Sequence, residues 1–150
     1  MSCEVEALGR YHLLEGPRIK IRASAGRALI ERHYGVAGHA AVELCKWTKD
    51  ALEGGKSCYK VKFYNAPAGG SHRCVEMSPV GLICSNRCVY CWRPTEEFDV
   101  FQLDERFYME PEEVVKGVLE ERRRLLSGYW GHPQGRRRVK EALEPTHWAI

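Results

Sequence analysis

The feature that most constrains this chain is a group of three cysteines, Cys84, Cys88 and Cys91, spaced as CxxxCxxC. Iron-sulfur clusters are held by thiolates, and a four-iron cube in an electron carrier usually has four of them, one on each iron. Three cysteines therefore leave one iron open to a further ligand. Asn86, inside the loop, favours the tight backbone bend that such a crowded loop needs. The spacing predicts a loop that binds a cluster with one open iron.

A zinc site is the main alternative, in which His72 or Cys74 joins the three cysteines to give four tetrahedral ligands. Structural zinc usually takes two CxxC pairs, and only Cys88 and Cys91 form such a pair within the motif. Tyr90, directly before the third cysteine, and the apolar run before the loop also favour the iron-sulfur interpretation. The seven cysteines are an odd number and the first residues lack a secretory signal, so a complete disulfide framework is not expected.

The spacing of the three cysteines that precede the loop does not by itself indicate a metal-binding role. Cys45, Cys58 and Cys74 are spread over nearly thirty residues and match no ligand motif. Free cysteine is among the most buried residue types, so the residues by themselves favour core thiols at these positions.

Composition favours one soluble globular domain in the cytoplasm. Of the 150 residues 44% are apolar and 29% are charged, a balance too apolar for disorder. No stretch approaches the roughly 20 apolar residues of a membrane span, so no membrane partner is expected. The net charge is only +3, but basic residues are bunched at 122–124 and 136–140. These runs either bind a polyanion or are solvated helix faces.

Apolar periodicity and turn residues predict an α/β fold with a βαβ unit. Gly35 is the predicted residue after the first helix, and a buried strand is predicted to lead into the cysteine loop. The order strand, loop, helix, strand implies a parallel sheet with sites at the carboxyl ends of its strands, as in a barrel. The predicted helices cover 23–34, about 38–52 and 110–128, and the predicted strands cover 58–64, 79–83 and 146–150.

Several blocks of sequence make a family resemblance specific. In chain order they include CKWTK, CYKVKFY, SHRCVEMSP, the cysteine loop with WRP after it, LLSG and EPTH, and together they extend over about residues 25–150. These blocks resemble archaeal-type 4-demethylwyosine synthase, a member of the radical S-adenosylmethionine superfamily that acts in wyosine-base formation in tRNA.

The resemblance implies two four-iron clusters and a bound cofactor. The loop cysteines would hold the 4Fe-4S cluster that binds S-adenosylmethionine, with Tyr90 beside the adenine and Asn86 as a second cofactor-binding residue. The scattered cysteines would hold a second 4Fe-4S cluster, which replaces the interpretation as core thiols. The second-cluster ligands implied in this way are Cys45, Cys58 and Cys74.

The resemblance also implies a reaction, in which N1-methylguanosine of phenylalanine tRNA is condensed with pyruvate to give 4-demethylwyosine. An electron donor would reduce the cluster, and the basic runs would contact tRNA phosphates. Lys60 is the candidate for a Schiff base with pyruvate; the alternatives are a surface lysine on a strand, or pyruvate bound at the open iron of the second cluster. Other possible functions are a non-catalytic zinc or iron-sulfur RNA-binding module and another radical S-adenosylmethionine enzyme.

The expected organisation is the N-terminal part of a radical S-adenosylmethionine partial (β/α) barrel, preceded by a helical extension that carries the second-cluster ligands. Residues 1–22 are expected to be a variable segment, 23–78 the extension, and 79–150 the start of the barrel. Because the final strand would lead directly into further barrel segments in that family, the sequence is expected to be a truncated N-terminal portion.

Overall fold

A computed structural model of the chain describes residues 30–63, 70–81, 84, 86, 88–93 and 108–150. Most of the predicted first helix lies outside these residues. The strands are β1 (Gly35–Ala37), β2 (Ala40–Glu43), β3 (Cys74–Ser78) and β4 (His147–Ala149), and the helices are α1 (Lys46–Leu52), α2 (Pro111–Leu126) and α3 (Gly135–Ala142), with short 3₁₀ turns at Tyr59–Lys62, Ser71–Arg73 and Ser127–Tyr129.

The four strands form one mixed sheet in the order β1-β2-β3-β4. β1 pairs with β2 and β2 with β3 in antiparallel fashion, whereas β3 and β4 are parallel. The parallel pair is joined through α2 and α3, which confirms the predicted βαβ connection and the mixed α/β class. The strand that begins this unit is Cys74–Ser78. Of the strand predicted over 79–83, residues 79–81 are a turn and residues 82–83 lie outside the described residues.

Helix α2 confirms the helix predicted over 110–128. Pro111 occupies its first turn, where a missing N–H costs nothing, and the Glu113 carboxylate accepts a hydrogen bond of 3.2 Å from the Glu110 backbone N–H. Val114, Val118 and Leu126 are buried against the sheet and the neighbouring helices. Burial of each such side chain contributes about 1.5–3 kcal/mol, so the stripe anchors this helix.

Two apolar clusters make up the core of the described residues. The first lies between one face of the sheet and α2, and the second lies where α1, the end of α2 and α3 meet. The first contains Ala37, Ala40, Val42, Val75, Met77, Val114 and Val118, and the second contains Leu44, Leu52, Leu126, Val139 and Ala142.

Three expectations in the first half of the chain are wrong. The helix predicted over about 38–52 is β2 followed by the shorter α1, because the alanine-rich start is fully buried as a strand between two partners. The strand predicted over 58–64 is a 3₁₀ turn in its described part, where no strand pairs with it. Gly35 belongs to β1; the residue with positive φ that closes the preceding turn is His33, at 66°.

Gly81 lets the chain pass close to β2 just before the cysteine loop. A Cβ atom at this position would overlap the Ala41 side chain and lie 2.7 Å from the Ala41 backbone nitrogen. Both residues are buried, and the strand cannot yield because it is central in the sheet. Glycine at this position therefore fixes where the loop begins.

Gly81→Ala is expected to lower the free energy of unfolding by about 1–3 kcal/mol, the usual cost of overpacking a core. Urea unfolding followed by circular dichroism measures this effect. Gly128→Ala is the control, since a Cβ atom there meets nothing within 4 Å. Equal midpoints for the two variants would contradict the packing argument.

Candidate functional site

A cavity of about 190 Å³ lies beside β3 and β4. The three cysteines implied as second-cluster ligands and Lys60 all contribute to its wall, although they come from separate parts of the chain. Glu76 and His147 line it as well. The structure therefore brings together four residues that spacing alone did not connect.

A hydrogen-bonded network around Ser71 holds two of these cysteines in position. The Cys58 backbone N–H donates to Ser71 Oγ at 2.6 Å, and Thr48 Oγ1 donates to the Ser71 carbonyl at 3.0 Å. Thr48 Oγ1 also lies 3.4 Å from Cys45 Sγ. Cys45 is the residue directly before α1, whereas the sequence predicted it near the middle of a helix. Thr48 and Ser71 are buried, so the network is shielded from water.

Strand alternation supplies the rest of the wall. Cys74 and Glu76 are two residues apart on β3 and line the cavity, whereas the intervening Val75 is buried in the core. His147 on β4 is the direct partner of Cys74 in the parallel pairing. Sequence reasoning missed Glu76 and His147, although the period of two on a strand beginning at Cys74 would have indicated Glu76.

Burial disfavours the thiolate forms of Cys74 and Cys45. The pKa of Cys74 is raised to about 11, mainly by burial and also by the nearby Cys45 and Glu76 charges. Burial is also the main reason why the pKa of Cys45 is raised, with a smaller contribution from Glu76. Binding of a metal or cluster would have to displace these protons, because the thiolate is the ligand.

The residues of the cavity wall are not arranged around one ion. Among the described residues no three His, Cys, Asp or Glu side chains meet around a single metal position. The ligands of a cube bind separate irons, so they surround the group instead of converging on one point. Glu76 Oε2 is buried in this wall and has no hydrogen-bond partner among the described residues, as expected where a polar ligand is to be met.

The cysteine loop is more open than the cavity. Cys84 Sγ donates to the Asn86 carbonyl at 2.7 Å, and the Cys91 N–H donates to the Cys88 carbonyl at 3.0 Å. Cys88 is exposed, and Tyr90 is 86% exposed. The loop thus presents the predicted cofactor-binding face to solvent.

Contacts beside the loop hold its ends together. The two residues considered as a fourth zinc ligand have other surroundings. Arg93 Nη1 donates to the Val80 carbonyl at 2.8 Å, which joins the chain after the loop to the chain before it. His72 Nε2 instead lies 2.8 Å from Glu141 Oε2, and Cys74 faces the cavity. Neither proposed fourth zinc ligand is therefore assembled with the loop cysteines in the described part of the chain.

The basic run at 122–124 is not a continuous surface. Arg122 is only 1% exposed, whereas Arg123 and Arg124 are exposed. Its guanidinium lies beneath β3, where it hydrogen-bonds to the carbonyl of Cys74. The expectation that this run contacts a polyanion is wrong for Arg122.

Comparison with known proteins finds relatives that share one descriptive name. The chain is 41% identical over 122 residues to the S-adenosyl-L-methionine-dependent tRNA 4-demethylwyosine synthase of Pyrococcus abyssi, and 36% identical over 129 residues to that of Methanocaldococcus jannaschii. These matches cover 80% and 83% of the chain. Over about four fifths of its own length, the chain is thus a homologue of part of the tRNA 4-demethylwyosine synthases. It spans 34% and 40% of the length of those two relatives.

Human TYW1, with the same descriptive name, is 34% identical over 136 residues, which are 89% of this chain and 18% of that protein. No family model matches the chain.

Solved structures of this family share the fold. The chain aligns with a TYW1 structure that contains a lysine-pyruvate adduct at a TM-score of 0.68 and 36% identity, over 86% of this chain and 41% of that one. It aligns with an archaeal TYW1 crystal structure at a TM-score of 0.63 and 33% identity, over 87% and 42%. The mixed sheet and its helices are therefore a part of the 4-demethylwyosine synthase fold. None of the helices in the described residues is long and apolar enough to cross a membrane.

Proposed function

We propose that this chain forms part of a radical S-adenosylmethionine lyase that condenses N1-methylguanosine of phenylalanine tRNA with pyruvate to give 4-demethylwyosine. The observation that carries the proposal is the common cavity of Cys45, Cys58, Cys74 and Lys60. The family resemblance selects these four residues by motif, independently of their positions in space. Their convergence in one cavity is what a shared site requires.

Two groups of ligands follow from this proposal. The loop cysteines would hold the cluster that binds S-adenosylmethionine, with Asn86 and Tyr90 beside the cofactor, at the start of a partial barrel. When bound, that cluster and cofactor supply the electron and the radical that removes hydrogen from the N1-methyl group. The cavity cysteines would hold the second cluster.

Lys60 is the residue that would bind pyruvate covalently. Its amine would attack the pyruvate carbonyl carbon, water would leave, and a Schiff base would remain. Lys60 lies on an exposed 3₁₀ turn and also lines the cavity, so its amine is within reach of both solvent and the enclosed space. The lysine-pyruvate adduct named in a structure of TYW1 supports this assignment.

The tRNA would meet the exposed basic residues of α3. Arg136 and Arg137 are exposed on this helix, and Arg137 Nε pairs with Glu141 Oε1 at 2.9 Å. Contacts between basic side chains and phosphates dominate the affinity for folded RNA and weaken as the salt concentration rises. Tyr59 lines the cavity and packs edge-on against Phe63 at a ring-centroid distance of 6.3 Å. These side chains are 65% and 78% exposed and offer aromatic faces for a base.

Arg136→Glu is expected to weaken tRNA binding more at low salt than at high salt, and to reduce the slope of log affinity against log salt concentration by about 1. Filter binding or fluorescence anisotropy over a salt series measures both quantities. Lys116→Glu, an equal charge change at an exposed position of α2, is the control. An equal loss in both variants would indicate a general effect of net charge and not a contact by α3.

Anaerobic reconstitution tests the proposed function as a whole. Iron and sulfide are quantified, and electron paramagnetic resonance spectra of the reduced chain are recorded with and without S-adenosylmethionine. About eight irons per chain, as two four-iron cubes require, and a spectrum changed by the cofactor would support the proposal. Bound zinc, or a spectrum that the cofactor leaves unchanged, would contradict it and favour an RNA-binding module.

A further inference from the structure

Arg122 is the largest fully buried side chain of the described residues, and all its hydrogen bonds go to backbone carbonyls. Nη2 donates to the His72 carbonyl at 2.7 Å and to the Cys74 carbonyl at 3.1 Å, while Nε reaches the Cys74 carbonyl at 3.3 Å. Nη1 donates to the Ala142 carbonyl. The guanidinium therefore ties β3 to α3 directly beneath the cavity wall.

This buried cation has no carboxylate among its partners in the described part of the chain. Burial lowers the pKa of Arg122 to about 10, so the side chain is still charged at neutral pH. An uncompensated buried charge is costly, and carbonyl dipoles offset only part of that cost. The guanidinium donates to the backbone carbonyl of Cys74, which also lines the cavity, so negative charge held in the cavity would lie close to this cation.

We propose that Arg122 is a positioning residue whose buried positive charge offsets the negative charge of a thiolate-bound iron-sulfur cluster in the cavity and raises the reduction potential of that cluster. This inference rests on the proposed function, because it requires a cluster at Cys45, Cys58 and Cys74. Each thiolate adds negative charge, and one more electron is easier to accept when a fixed cation lies close by in a medium of low dielectric. Arg122 would also hold the backbone of Cys74, so that this ligand is in place before the cluster binds.

The test compares Arg122→Gln with Arg122→Lys in the reconstituted chain. Both variants lose part of the hydrogen bonding to carbonyls, but only glutamine removes the charge. The measured quantity is the midpoint potential of the cavity cluster, obtained by anaerobic redox titration followed by electron paramagnetic resonance. Arg123→Gln removes a charge from the adjacent exposed position and is the matched control.

Arg122→Gln is expected to lower the ratio of reduced to oxidised cluster at least tenfold at a fixed solution potential, a shift of about 59 mV for one electron. Arg122→Lys and Arg123→Gln are expected to remain near the wild-type potential. If glutamine abolishes iron binding at the cavity while lysine retains it, the role of the charge is supported as well.

Equal potentials in the glutamine and lysine variants, or equal loss of iron in both, would overturn the inference and leave Arg122 with a purely structural role. Absence of a cavity cluster from the wild-type chain would instead contradict the proposed function. The wild-type iron content, measured first, separates these two failures.

Discussion

Replacing Lys60 with arginine is expected to abolish covalent capture of pyruvate by this chain. Arginine keeps the positive charge and much of the side-chain length, but its guanidinium stays protonated and does not form an imine with a ketone. The experiment is incubation with pyruvate, reduction with sodium borohydride and mass spectrometry of the digested chain. Wild-type chain should carry a reduced pyruvate adduct on the peptide containing Lys60, and the variant should carry none there.

Lys62→Arg is the matched control for this experiment. Lys62 belongs to the same 3₁₀ turn and is exposed, but it is not part of the cavity wall. Capture should be unchanged in this variant, because the amine proposed to react is that of the cavity-lining Lys60. Adducts spread equally over both lysines would indicate non-specific labelling, and a wild-type chain without any adduct would leave Lys60 as a surface residue.

Cys58→Ala and Cys88→Ala are expected to remove different clusters. Each variant should lose about four irons per chain, since each substitution takes one ligand from a different three-cysteine set. Only Cys88→Ala should lose the spectral change caused by S-adenosylmethionine, because the proposal assigns the open iron that binds the cofactor to the loop. The measurements are iron quantification and electron paramagnetic resonance of the reduced variants.

The two cysteine variants serve as controls for each other. Loss of the cofactor response in both would mean that the two sites are not independent. Unchanged iron in Cys58→Ala would return that residue to the interpretation as a core thiol. Persistence of the cofactor response in Cys88→Ala would refute the assignment of the loop.

The sequence correctly predicted those elements that are stabilised by interactions within the element itself. α2 was predicted from its first-turn proline, its acidic start and its apolar stripe, all of which act within the helix itself. β2 was missed because its alanines have high helix propensity, and pairing with two distant strands overrides that preference. The 3₁₀ turn at Tyr59–Lys62 has the alternation of a strand, but alternation alone supplies no pairing partner.

The candidate site shows the same division between local and distant signals. The CxxxCxxC loop is a local motif, so spacing was enough to propose its chemistry. Cys45, Cys58 and Cys74 were linked only through the family resemblance, because the sheet and the Ser71 network that bring them together involve distant residues.

The burial of Arg122 did have a sequence signal that was overlooked. It stands four residues after Val118 and four before Leu126, in line with the buried stripe of α2. Its position in a run of three arginines favoured the interpretation as a surface cation. Helical periodicity was therefore a better guide than charge clustering at this position.

The parallel pairing of β3 with β4 has a consequence for the order of assembly during synthesis. His147 and Ala149 complete the cavity wall, yet the cysteines of that wall end at position 74. On the ribosome these thiols emerge long before β4 is available, so the complete cavity wall cannot exist in the nascent chain until residue 149 has been made. Loading of the cavity therefore has to wait for translation to pass β4.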